Sequence, residues 1–360
     1  MRAPYGREPR RRSNRCSEKR HPPKPDTPLS GFILYDGSMN TDQGSKNMRQ
    51  GPDGLPVIPA RSILSGWTDE GWFGSNYNMN LYKGCSHGCI YCDSRSECYQ
   101  VADFDTVRTK ADALAVLEQD LRSKRRKGVV ISGSMSDAYN PFERSHRLMR
   151  GALERMDRHG FGVVIDTKSP LVARDLDVLL RIARHSPVAV NVTVTTADDA
   201  LCRRIERQVA PTSVRLAALR ALAEAGIRCG VLLMPILPFV NDTPANITDI
   251  VRIAHQAGAG WIYAGGDFGM TLRQNQRTHY LDWLDRLAEE DGGSGLFAGL
   301  RNRYETTYGQ AYHCRSPRTA ELLPLFTAAC REHGMVFRMP DIVRRIRAGY
   351  EDPQLSLFDG

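Results

Sequence analysis

Six short, apolar, β-rich segments recur through the middle of this chain, and they restrict its fold more than any other feature. They are the alternating Tyr77, Met79 and Leu81, then Val129 to Ser132, Gly162 to Asp166, Val188 to Val194, Cys229 to Met234 and Trp261 to Ala264; each reads as a strand. Between them, Ala113, Leu114, Leu117 and Leu121 keep helical spacing, as do Leu148, Ala152 and Met156, and Leu216, Leu219 and Leu222. Gly160, Gly226 and Gly258 follow the last apolar turns as C-terminal stops. Strand and helix alternating about every 30 residues require parallel strands joined by crossovers. Six such units make an α/β fold, a partial (β/α)6 TIM-like barrel whose chemistry collects at the C-terminal ends of the strands.

At 360 residues and 41% hydrophobic content, the chain can bury a full core. The barrel is expected over 60–300, with a small C-terminal helical extension packed on it over 301–350. No apolar run approaches the roughly 18 residues of a membrane span, and no apolar signal segment stands at the start, so a soluble, cytoplasmic protein is expected. The net charge of +8 is concentrated at one end: residues 1–25 carry nine Lys and Arg against Glu8 and Glu18. That segment is proline-rich with almost nothing to bury, so it reads as a basic disordered tail with at most a loose hold on phosphates. Residues 26–59 are rich in Gly, Pro, Asn and Asp and are expected to form an irregular strap.

The first strand runs into GCSHGCIYC, Gly84 to Cys92, which sets Cys85, Cys89 and Cys92 at spacings of four and three residues. A closed iron–sulfur cluster needs four cysteine ligands, whereas three leave one iron open to bind something that reacts. A zinc site from these three with Cys98 or His87 is the alternative, although structural zinc sites usually come as two ligand pairs with a longer spacer. The odd total of nine cysteines suits free thiols rather than disulfides.

Polar groups crowd the other strand ends. After the second strand comes GSMSDAYNPFE, with Ser134, Ser136 and Asp137; after the third comes TKSP, with Lys168; the fourth closes on Thr193, Thr195 and Thr196. A cation at Lys168 can meet a carboxylate, and the threonine hydroxyls can bond a ribose.

Taken in order, GCSHGCIYC, SDAYNP (Ser136 to Pro141), TKSPLVARDLD (Thr167 to Asp177), the Glu206 to Arg215 stretch and PILPFVND (Pro235 to Asp242) resemble the spore photoproduct lyase-like, or DNA repair photolyase-like, branch of the radical S-adenosylmethionine superfamily. The resemblance covers about Ala60 to Asp267. It implies a four-iron four-sulfur cluster on Cys85, Cys89 and Cys92, with S-adenosylmethionine on the open iron and contacted by Tyr91, Ser136, Asp137, Lys168 and Thr195. It further implies that an electron from a flavodoxin- or ferredoxin-like donor splits the sulfonium to a 5′-deoxyadenosyl radical, in a lyase-like reaction on DNA. There is one departure: where spore photoproduct lyase has a cysteine that returns a hydrogen atom to the substrate, this chain has Ser134, whose O–H bond is too strong for that task. Cys98 and Cys314 are the thiols considered in its place.

The remaining features are more local. Tyr304, Tyr308 and Tyr312 fit either core or a base-stacking groove, and Cys202, Cys229 and Cys330 sit on apolar faces as buried fillers. The last ten residues, 351–360, are expected to form a flexible acidic tail around Gln354, Leu355, Ser356, Leu357 and Phe358. QLSLF resembles the linear motif by which bacterial repair proteins dock on the DNA polymerase sliding clamp. The combined expectation is a radical enzyme acting on nucleic acid. The alternatives are the same chemistry on RNA, a peptide or a small molecule, or a non-catalytic, clamp-associated iron–sulfur protein.

Overall fold

The computed structural model describes residues 54–350, apart from 67, 69, 70, 266 and 267. The basic tail, most of the strap and the QLSLF tail lie outside the described residues.

Six parallel strands stand side by side in chain order: β1 (Tyr77–Met79), β2 (Val129–Ser132), β3 (Gly162–Thr167), β4 (Val188–Thr193), β5 (Arg228–Leu232) and β6 (Trp261–Tyr263). The partial barrel expected from the alternation is therefore present. Leu64–Ser65 adds a short antiparallel strand beside β1, and Val336 makes a parallel bridge to Trp261 at the other edge. Val57–Ile58 pairs with Arg108–Lys110 in a separate small sheet.

Strand alternation divides the core in two. Val130, Val163, Ile165, Val190 and Val231 face outwards and pack with the apolar stripes of helices Ala113–Ser123, Leu148–His159, Thr212–Glu224 and Pro244–Gln256. The helix Thr319–Glu332 joins them through Leu322, Phe326 and Cys330, packing beside Pro244–Gln256. Val129, Ile131, Val164, Ala189 and Trp261 face inwards against Phe73 and against Ile342 and Ile346 of the last helix, Met339–Arg347. The Trp261 indole packs against Gly230, where a Cβ would lie 1.9 Å from the ring nitrogen.

Between β6 and Thr319 the chain makes an excursion. Gly269–Thr271 pairs antiparallel with His313–Arg315, and the helices Gln274–Glu290 and Leu300–Tyr308 lie between them. Met270, Tyr280, Leu284, Tyr304 and Cys314 form a third core with Cys89, Ile90, Tyr91 and Ile205. Each large apolar side chain buried there contributes roughly 1.5–3 kcal/mol, so the excursion is fastened to the cysteine loop. Tyr304 is fully buried and belongs to this core, its hydroxyl donating to the Pro238 carbonyl at 2.7 Å. Cys314 is enclosed in the same core.

Candidate metal centre at the barrel mouth

The cysteine loop leaves the C-terminal end of β1 and is tied down on several sides. Cys85 donates its N–H to the Phe104 carbonyl at 2.8 Å, Ile90 to Ile205 at 3.1 Å, and Gln208 to the His87 carbonyl at 3.0 Å. Cys89 is buried, and Cys85 and Cys92 are partly so. The three sulfurs lie within electrostatic reach of one another, and backbone N–H groups of Asp137 and His87 point at Cys85 while that of Ser94 points at Cys92. Burial pushes all three thiols up, Cys85 to about 12, so unliganded they hold their protons and are poor nucleophiles. A bound metal would displace those protons, and N–H donors aimed at sulfur suit iron–sulfur ligation. Among the described residues, no three His, Cys, Asp or Glu side chains gather as they would around a single ion. Cys85, Cys89 and Cys92 are the residues of this loop that could hold an iron–sulfur cluster.

Asp137 joins the loops after β2 and β3. Its carboxylate accepts from the Thr167 hydroxyl at 2.8 and 2.9 Å, the Lys168 N–H at 2.7 Å and the Tyr139 N–H at 2.9 Å, with His87 Nδ1 at 3.6 Å. Gly133 permits this approach: a Cβ there would lie 1.9 Å from the Asp166 carbonyl. Ser136 is buried beside Asp137, and Ser134 is exposed.

Lys168 sits with its ammonium 5.8 Å above the Tyr91 ring. Burial works against its charge, but Cys89 as a thiolate and the Glu206 carboxylate outweigh burial and raise its pKa. Behind it lies a network that joins Tyr91 and Thr195, both expected at the site from sequence, to Glu206 and Arg215, which were not. Tyr91 donates its hydroxyl to Glu206, Arg215 pairs with the same carboxylate, and Thr195 donates to it at 3.2 Å. Arg215 also donates to the carbonyls of Thr193 at 3.0 Å and Ala210 at 2.6 Å, and to Cys202 Sγ at 3.3 Å. Burial alone would raise the Glu206 pKa; Arg215 and Lys168 reverse this and hold it below the usual range. Thr195 is fully buried with its hydroxyl on Glu206, so it stands behind the site and not on its surface. One sign of the network was available in the sequence: Arg215 shares a helix face with Leu219 and Leu222, and a charge on an apolar stripe asks for a buried partner.

Below this mouth one layer of the barrel interior is polar. Asp166, Asn191, Gly230 and Trp261 occupy one layer by strand register. Trp261 donates its indole N–H to Asn191 at 2.8 Å, Asn191 its amide to Asp166 at 2.8 Å, and Trp72 its indole N–H to the other Asp166 oxygen at 3.1 Å. Burial pushes Asp166 up to about 6 against the two donors that stabilise its charge. Asn78 shares the inward face with Ile131, and the buried Oδ1 atoms of Asn78 and Asn80 have no hydrogen-bond partner among the described residues.

The family model described as the Radical SAM superfamily matches residues 79–260. An uncharacterized protein of Mycobacterium tuberculosis is 33% identical over 222 residues, which is 59% of this chain and 64% of that protein. This chain thus spans less than two thirds of that relative's length. An uncharacterized protein of Acidianus two-tailed virus is 28% identical over 256 residues, 65% of this chain and 80% of its own. Among solved structures, spore photoproduct lyase complexed with dinucleoside spore photoproduct shares the fold at a TM-score of 0.54 and 15% identity, over 79% of this chain and 81% of that one. Matched by the family over half of its length, from β1 to the threshold of β6, the chain belongs to the radical SAM superfamily.

Proposed function

We propose that this chain is a radical S-adenosylmethionine enzyme that carries a four-iron four-sulfur cluster on Cys85, Cys89 and Cys92 and acts on nucleic acid as a lesion-repair-type lyase. The observation that carries the reading is the seat of Lys168 at the barrel mouth, its ammonium 5.8 Å above the ring of Tyr91 in the cysteine loop and its backbone N–H held by Asp137. When bound, cluster and S-adenosylmethionine supply a carbon radical by reductive cleavage of the sulfonium. Lys168 meets the carboxylate of the cofactor, Ser136 and Tyr91 line its pocket, and Asp137 holds the two loops in register. Glu206 keeps Lys168 charged and Tyr91 oriented, with Thr195 supporting from behind.

The substrate reading draws on the barrel interior. Unpaired amide oxygens at Asn78 and Asn80, the Asp166 carboxylate, and the half-buried rings of Trp72 and Tyr263, 5.1 Å apart edge to face, offer hydrogen-bonding and aromatic edges that suit a nucleobase. The solved relative of the same fold holds a dinucleoside photoproduct. A second reading, the same chemistry on another substrate, is favoured by Ser134, which leaves that loop without a thiol hydrogen donor. We assign electron delivery to a flavodoxin- or ferredoxin-like donor, and Gln354 to Phe358 to docking on the sliding clamp. Replacing Leu357 and Phe358 by alanine should abolish clamp binding with melting temperature and cofactor cleavage unchanged.

The test is turnover by the anaerobically reconstituted chain offered lesion-bearing DNA, undamaged DNA, RNA and peptides. Stimulation by lesion-bearing DNA with conversion of the lesion supports the first reading. Conversion of RNA or peptide with DNA inert supports the second.

A further inference from the structure

Asp93 follows the last cluster cysteine directly, and its charge is not left bare. Arg273, at the start of the helix Gln274–Glu290, donates from Nη2 to Asp93 Oδ2 at 2.6 Å and from Nε to Oδ1 at 3.2 Å. Tyr99 and Thr271 add hydroxyl bonds to the same carboxylate at 2.8 and 3.0 Å. The guanidinium is fixed in plane as well, lying 4.9 Å from the Tyr99 ring centroid and 5.0 Å from that of Tyr312, and Nη2 also donates to the Tyr99 hydroxyl at 2.8 Å. Both partners are only about one-fifth exposed, at 23% and 21%.

The next three residues grip the same stretch of chain. Gln274 accepts from the Ser96 hydroxyl at 2.8 Å and the Cys98 N–H at 3.1 Å, and Asn275 accepts from the Glu97 N–H at 3.0 Å and donates to the Arg95 carbonyl at 3.2 Å. Gln276 donates to the Tyr91 carbonyl at 3.1 Å. Four consecutive side chains of the excursion thus hold the segment Tyr91 to Cys98, and the first of them brings the only full positive charge of the four to the residue beside Cys92.

We propose that the Arg273–Asp93 pair sets the reduction potential of the cluster, with Arg273 as the positioning residue that cancels the field of Asp93. The inference rests on the reading of Cys85, Cys89 and Cys92 as the cluster seat. Reduction adds one electron to the cluster, and a bare carboxylate at the neighbouring residue opposes that electron. An uncompensated unit charge within about 10 Å, at an effective dielectric of about 20, shifts the reduced-to-oxidised ratio about tenfold, or about 59 mV for a one-electron couple. The supply of electrons to the radical chemistry therefore depends on a residue 180 positions from Asp93 in sequence, delivered by a segment outside the barrel.

The experiment is a potentiometric titration of the anaerobically reconstituted full chain, followed by the paramagnetic signal of the reduced cluster, with iron and sulfide counted for every variant. Arg273→Ala should keep its iron and become about tenfold harder to reduce. The near-isosteric Asp93→Asn should become easier to reduce, and Arg273→Lys should fall between parent and Arg273→Ala. The double variant Arg273→Ala/Asp93→Asn should return towards the parent potential, a recovery that a merely structural role for Arg273 does not predict. An unmoved potential in both single variants of a fully loaded protein overturns the inference alone, as does a double variant displaced as far as Arg273→Ala. A parent chain that takes up no iron overturns the cluster reading and this inference with it.

Discussion

The Tyr91 hydroxyl donates its hydrogen bond to the Glu206 carboxylate, so the aromatic residue just before the last cysteine is tied to an ion pair fully enclosed behind the site. A buried pair costs both partners their hydration, and breaking it by removing one member leaves the other charged and unpaired. Arg215→Ala should therefore destabilise the fold by about 3–5 kcal/mol. Tyr91→Phe, which leaves the pair intact, should cost about 1–3 kcal/mol. Equilibrium unfolding in denaturant checks both, and a change below about 1 kcal/mol in Arg215→Ala would mean that the pair does not hold the site together.

Lys168 and Asp137 should behave differently from each other. Loss of the Lys168 ammonium should weaken S-adenosylmethionine binding at least about tenfold in Lys168→Ala, the scale of one charge-assisted contact, with iron content and melting temperature close to the parent. Asp137→Ala leaves the Thr167 hydroxyl and the N–H groups of Lys168 and Tyr139 without their acceptor. It should lower the melting temperature as well as the affinity. Calorimetric binding and thermal melts separate the two, and parental affinity in Lys168→Ala would mean that the pocket lies elsewhere.

The barrel could be read from the alternation of strand and helix because each strand buries both faces and each helix one stripe, and those two periods survive in any sequence that folds this way. The cysteine triplet and Lys168 could be read because local spacing and strand-end position carry them. Glu206 and Arg215 could not be placed with the same ease: their partnership depends on the packing of a strand end, a short helix and the cysteine loop. Arg273 was beyond reach for a stronger reason. The excursion after β6 has no strand–helix rhythm, and what brings Arg273 to Asp93 is the antiparallel pairing of Gly269–Thr271 with the distant His313–Arg315.

Asp166 gives a pH signature. Folding raises its pKa from about 4 to about 6, so the folded state holds this proton where the unfolded chain has released it. Its contribution to stability is fully present below about pH 4 and is lost as pH rises through about 6. Trp72 reports the event directly, since its indole N–H bonds the carboxylate. The difference in emission between the parent and Trp72→Phe should titrate with a midpoint near pH 6, and Asp166→Asn should abolish the transition. A flat profile from pH 4 to 8 in the parent would mean that the carboxyl is not buried as described.

The cysteines can be separated one by one. Cys85→Ala, Cys89→Ala and Cys92→Ala should each lose an oxygen-sensitive brown chromophore, because each removes one of only three thiolate ligands. Cys98→Ala should keep it, since the structure engages that residue through its N–H with Gln274. Full iron content in Cys89→Ala would contradict the assignment of ligands.

The most direct measurement is the yield of 5′-deoxyadenosine when the anaerobically reconstituted chain is given S-adenosylmethionine and a strong one-electron reductant. Cluster-dependent formation of 5′-deoxyadenosine, absent in Cys89→Ala and reduced in Lys168→Ala at limiting cofactor, is the predicted result. A fully loaded, reducible cluster that binds S-adenosylmethionine and releases no 5′-deoxyadenosine, with or without lesion-bearing DNA, would contradict it.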